Sequence, residues 1–171
     1  MFNIGDTVVY GTTGVCKIAD ITPPPVRGMD PNNKYFLLRP LYQDGKLYTP
    51  VHGAEEKMRP VITREQAEKL IAMIPTMKAE TYQADNTAQL AERYQQIFSS
   101  NNCLDLAELV LSLYVKKQHL TKQRRRFGQV DERFMKRAQT LLHGELATAL
   151  GIPFDEVEDY VLSRVNVPQA D

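Results

Sequence analysis

The feature that most constrains this chain is a change of hydrophobic period at residue 63. Before it, apolar residues come in short runs rich in Val, Ile, Tyr and Leu, split by glycines and prolines; after it, they recur at helical spacing. One layer cannot serve both periods, so the expected fold is α+β in two domains. An N-terminal small antiparallel β barrel of the Tudor or SH3-like kind over 1–62 precedes an all-α helical domain over 63–171, with a hinge at about 75–88. At 171 residues there is enough chain for one medium core or two small ones.

In the first part, strands are expected over Thr7–Tyr10, Val15–Ile21, Tyr35–Leu41 and Lys46–Val51. Gly5, Gly11 and Gly14 lack the spacing of a phosphate-binding loop and are expected as turns. Asp44-Gly45 suits a tight primed hairpin turn, and Pro23-Pro24-Pro25, which cannot donate ladder hydrogen bonds, suits an exposed loop or edge.

In the second part, Thr63 and Gln66 form a capping-box pattern ahead of Ala67, Leu70, Ile71 and Ile74. A second helix is carried by Leu90, Tyr94, Ile97 and Phe98, and a third by Leu106, Val110, Leu113 and Tyr114, with Lys116 and Lys117 expected in its last turn. The fourth carries Phe134, Ala138, Leu141, Leu142 and Leu146 and stops at Gly151; Pro153 opens a fifth with Val157, Tyr160 and Val161.

Lys plus Arg equal Asp plus Glu at 21 each, so any charge effect is local. Between Lys116 and Arg137 stand nine basic residues against Asp131 and Glu132; from 138 onward Arg164 alone faces six acids. The Lys122, Arg124, Arg125, Arg126 run and the Arg133, Lys136, Arg137 face are candidate phosphate contacts, with a solvated basic loop as the plain alternative. Cys16, Cys103, His52, His119 and His143 have no metal-ligand spacing, and no nucleophile elbow or phosphate loop occurs. Neither an enzyme nor a cofactor is therefore expected. The start MFNIGD shows no basic region followed by an apolar run, and no stretch reaches about 20 apolar residues, so a cytoplasmic protein without membrane contact is expected.

Three segments resemble one family. FNIGDTVVYGTTGV, KLYTPVHGAEEKMRPVI and RAQTLLHGELATALG are similar to the CarD/CdnL family of bacterial RNA-polymerase-binding transcription regulators. The shared positions are Gly5, Asp6, Val8, Val9, Tyr10, Gly14 and Val15, then Pro50, Val51, Ala54, Glu55, Arg59, Val61 and Ile62. The resemblance implies a Tudor-like domain that binds the RNA polymerase β subunit by strand addition, at Val26, Arg27, Tyr48 and Thr49. It also implies a helical domain set against promoter DNA near the −10 region without sequence specificity, modulating open-complex stability, and no small-molecule substrate. Family members insert a tryptophan wedge there. This chain has no tryptophan, the wedge position falls on Leu90, and Arg93 keeps the family's charge while Glu92 and Gln95 do not. The alternative function is a polymerase-bound protein adaptor with little DNA contact.

Overall fold

The computed structural model describes residues 2–11, 13–79 and 86–165. They fall into two compact units that divide between Ile62 and Thr63.

The first unit is a five-stranded antiparallel sheet of β1 (Thr7–Tyr10), β2 (Gly14–Thr22), β3 (Tyr35–Pro40), β4 (Leu47–Pro50) and β5 (Met58–Pro60), in the order β4-β3-β2-β1-β5. Val8, Cys16, Ile18, Phe36, Leu38, Ala54 and Met58 form its core. A bulge between Ile18 and Asp20 shifts the β2–β3 register, which lets Ile18 and Ile21 both pack on that core despite their odd spacing. Burial pushes the Cys16 thiol up to about 11, so it remains a protonated core side chain. Among the described residues no ladder joins β4 to β5.

Two local expectations change here. Asp44-Gly45 is not a two-residue primed turn, because the β3–β4 connection runs over 41–46. Leu41 leaves the β4 side to donate its N–H to the Val15 carbonyl at 3.0 Å, and Gln43 Nε2 donates to the Thr13 carbonyl at 3.1 Å. The chain thus spends extra residues following β2 before it turns back. β5, absent from the strand ranges read in the sequence, pairs with β1 through Val9↔Arg59.

The second unit holds α1 (Arg64–Met73), α2 (Thr87–Ser99), α3 (Cys103–Lys122), α4 (Gln129–Leu150) and α5 (Val157–Arg164). The Thr63–Gln66 capping box forms in both directions, and Gly151 closes α4 in the left-handed conformation at φ 67°. Tyr94, Phe98, Leu109, Leu113, Phe134 and Ala138 make the core among α2, α3 and α4. On the other side, the Tyr160 hydroxyl donates to the Glu68 carboxylate, whose Oε2 lies 3.9 Å from Arg164 Nε, so α5 is clasped to α1. That hydrogen bond, with smaller contributions from burial and from Glu68's charge, raises the Tyr160 pKa. Of the hinge expected at about 75–88, residues 80–85 lie outside the described residues. The α1 helix before it packs on α4 and α5, inside the helical unit.

α3 continues to Lys122, so Lys116 and Lys117 are not in its last turn. They reach across to α4 instead. Lys116 Nζ lies 2.8 Å from Asp131 Oδ2, and Lys117 Nζ lies 3.6 Å from Glu132 Oε2. Asp131 is 4% exposed and also accepts the Tyr94 hydroxyl at 2.5 Å, so one carboxylate joins α2, α3 and α4. Removing it strands a half-buried ammonium as well as a buried hydroxyl, whereas removing the hydroxyl leaves the ion pair intact. Asp131→Ala should therefore cost about 3 kcal/mol and Tyr94→Phe about 1 kcal/mol in urea unfolding of the full chain. Equal losses would show that the ion pair contributes nothing beyond the hydroxyl contact.

Candidate functional site

β4 lies at one edge of the sheet. Val51 donates its N–H to the Lys34 carbonyl at 2.9 Å, which fixes the phase of the β3–β4 ladder. In an antiparallel pair the bonded positions alternate, so Leu47 and Thr49 face β3 while the main-chain groups of Tyr48 and Pro50 point away from the sheet. Tyr48 thus offers the outward N–H and C=O that an added strand needs, and Pro50 offers only a carbonyl. Lys46 Nζ stands 5.9 Å from the centre of the Tyr48 ring.

The four residues that the family resemblance assigns to polymerase contact divide by exposure. Val26, 57% exposed, and Arg27, also exposed, sit in the loop between β2 and β3, beside Gly28 at φ 95°. Tyr48 is half-buried. Thr49 is 1% exposed, so its side chain cannot touch a partner; the β pleat turns it inward. Its Oγ1 has no hydrogen-bond partner among the described residues.

The cations gather on the helical unit. Lys122 ends α3, Arg124, Arg125 and Arg126 lie in the loop to α4, and Arg133, Lys136 and Arg137 share an exposed side of α4, with all seven exposed. Lys116 and Lys117 occupy the carboxylates of Asp131 and Glu132. Among the described residues, no carboxylate pairs with the three loop arginines or with Arg133, Lys136 and Arg137. Arg133 and Arg137 lie over the Phe134 and Phe98 rings at 5.1 and 5.0 Å, which braces their stems while the charges stay in water.

The loop has a defined shape. Arg125 donates its N–H to the Leu120 carbonyl and Arg124 to that of Thr121, at 2.8 and 3.0 Å, a Schellman closure of α3. The left-handed position of this motif, usually glycine, is Arg124 at φ 54°. The next aromatic, Phe127, is half-buried against the helical core with Lys117 Nζ 5.5 Å from its ring centre. An aromatic directly after three arginines is a sequence signal that reading the charges alone passes over.

Leu90 and Arg93 are on α2. Arg93 is exposed, but Leu90 is half-buried and packs against the cluster around Tyr94 and Phe98, so it is not displayed as a free wedge. Its place in the apolar stripe accounts for that. No helix among the described residues is long and apolar enough to cross a membrane.

Residues 2–62 match the family model of the CarD-like/TRCF RID domain. The N-terminal unit, the RID unit by that likeness, is similar to the domain over nearly its whole length. The match ends where the RID unit ends, at Ile62. The family is one of non-catalytic interaction domains from RNA-polymerase-interacting, transcription-related proteins. No curated protein matches the chain.

Two substitutions separate fold from function in these surfaces. Thr49→Val removes a buried hydroxyl without a partner and keeps the shape, so the RID domain should gain about 1 kcal/mol. A loss in thermal unfolding would mean that the hydroxyl is hydrogen-bonded. At Arg124, left-handed strain of about 1–2 kcal/mol outweighs the roughly 0.5–1 kcal/mol that glycine loses in chain entropy, so Arg124→Gly should stabilise the fold by about 0.5 kcal/mol or more. Destabilisation would show that the arginine side chain makes a contact that outweighs its strain.

Proposed function

We propose that this chain is a non-enzymatic transcription regulator that docks on the β subunit of RNA polymerase through its RID domain. The helical unit then contacts promoter DNA near the −10 region and modulates open-complex stability. The observation that carries the proposal is the RID match over a sheet whose β4 edge has outward main-chain groups at Tyr48. In this mechanism the sheet curls as a small Tudor-like barrel, a strand of the polymerase pairs with β4, and Val26 and Arg27 contact it from the neighbouring loop. Thr49 takes part through its position in the ladder, not through its side chain.

On the DNA side, Lys122, Arg124, Arg125, Arg126, Arg133, Lys136 and Arg137 neutralise phosphates, with Arg93 on α2 as a further contact. These contacts position the helical unit without reading sequence. Leu90, packed on the core, supports the geometry of α2; insertion as a wedge would require it to leave that packing. The protein acts in the cytoplasm, at the nucleoid, wherever polymerase takes it. The packed Leu90 also favours a second function, a polymerase-bound adaptor that makes little DNA contact.

The test is the lifetime of open complexes carrying a fluorescent reporter in the bubble, with the full chain and two variants. The parent should lengthen the lifetime. Tyr48→Pro, which removes an N–H that the β3–β4 ladder does not use, should abolish binding to the β subunit while the domain stays folded. Replacing Arg124, Arg125 and Arg126 together by alanine should keep polymerase binding, lose most of the lifetime effect and make the salt slope of DNA affinity shallower by about 2–3. An unchanged salt slope and lifetime in that variant would sink the DNA mechanism and leave the adaptor; full binding by Tyr48→Pro would sink strand addition.

A further inference from the structure

An apolar groove opens between α3, α4 and α5, with Ile74 also in its lining. Val110, Leu111, Leu142, Leu146, Val161 and Leu162 line most of it. Its volume is about 110 Å³, room for a single branched aliphatic side chain when set against the roughly 150 Å³ cavity that holds a benzene. Leu162 on its rim is 50% exposed, and Met73, next to Ile74, is 44% exposed. Leu162 continues the apolar lining of the groove out to the surface, which gives an apolar partner side chain a place to enter.

The charges around the groove identify the occupant. The stretches 103–114, 139–150 and 151–162, which supply all of its lining but Ile74, hold seven carboxylates, four of them exposed, and no lysine or arginine. Asp155, Glu156, Glu158 and Asp159 are exposed, and Glu158 lines the groove itself. His143, also in the lining, packs edge-on to Phe154 at 6.0 Å; burial holds its pKa below the usual value, against the opposing pull of Glu158. The imidazole therefore does not offset the acidic rim at neutral pH. Nucleic acid and anionic lipid are repelled by such a rim. A second copy of this chain offers cations between 116 and 137, but no exposed large apolar side chain among the described residues there to fill the groove.

We propose that this groove is a docking site for a cationic amphipathic helix of a partner protein, one leucine-sized side chain entering the groove while lysines or arginines face the acidic rim. The mode is helix-in-groove recognition, in which one or two apolar anchors supply affinity and flanking charges supply selectivity. It is independent of any DNA contact, because the cationic face and the acidic groove use different residues.

The test uses the full chain and a fluorescein-labelled 18-residue lysine–leucine peptide with leucines at i, i+3, i+4 and i+7, followed by anisotropy. A scrambled peptide of the same composition and a version with glutamate in place of lysine serve as controls. The amphipathic cationic peptide should bind at least about tenfold tighter than either control. Leu162→Gln should weaken it about tenfold and Glu158→Gln about threefold, while the triple Arg124, Arg125, Arg126 to alanine variant should bind as the parent does. Leu162 and Glu158 are exposed, and circular dichroism of both variants checks that they are folded. Equal binding of the scrambled peptide, or indifference to Leu162→Gln, would show attraction by charge alone and overturn the proposal. A concentration-dependent dimer in sedimentation that Leu162→Gln abolishes would give the groove to a second copy and overturn it as well.

Discussion

The helical unit depends on a buried carboxylate. Asp131 sits in the first turn of α4, where the helix N-terminus favours a negative charge, and it receives both the Lys116 ammonium and the Tyr94 hydroxyl. An ion taken out of water is stable only when its partners are complete, so three helices must meet in one register for the site to exist. The same pairing shapes the surface. With Asp131 and Glu132 engaged by Lys116 and Lys117, the carboxylates nearest the arginines are already committed, and six cations on the loop and α4 face water with no carboxylate partner among the described residues.

The RID unit presents its chemistry differently. In the proposed docking its contact groups are main-chain atoms at a sheet edge, and what matters is which residues the ladder leaves facing outward. The phase set by the Val51–Lys34 hydrogen bond gives Tyr48 to the outside and Thr49 to the core. A one-residue slip would exchange them, placing a large ring in the core and a hydroxyl in water.

The sequence makes visible what local chemistry decides. Thr63 and Gln66 mark the start of α1 because the capping box needs only four residues, and Gly151 marks the end of α4 because few other residues adopt its left-handed angle. Both predictions agree with the structure. What stayed hidden depends on partners distant in the chain. β5 is three residues long and exists because β1 offers it an edge about fifty positions away. Asp44-Gly45 carries a strong turn signal, but the hydrogen bond of Leu41 to Val15 lengthens the connection. Lys116 and Lys117 read as helix-end cations until the α3–α4 hairpin brings Asp131 and Glu132 beside them. Leu90 has a place in the helical stripe and a place in the family's motif; the stripe describes where it packs.

Both edge strands of the sheet end on a proline, β4 at Pro50 and β5 at Pro60. A strand that meets either edge finds one outward donor, on Tyr48 or Met58, and then a ring with none. Such an edge admits a brief, register-locked guest and refuses a long one. The proline that would keep a guest on β4 brief therefore also guards the sheet against stacking edge to edge into the extended assemblies that open β edges otherwise template.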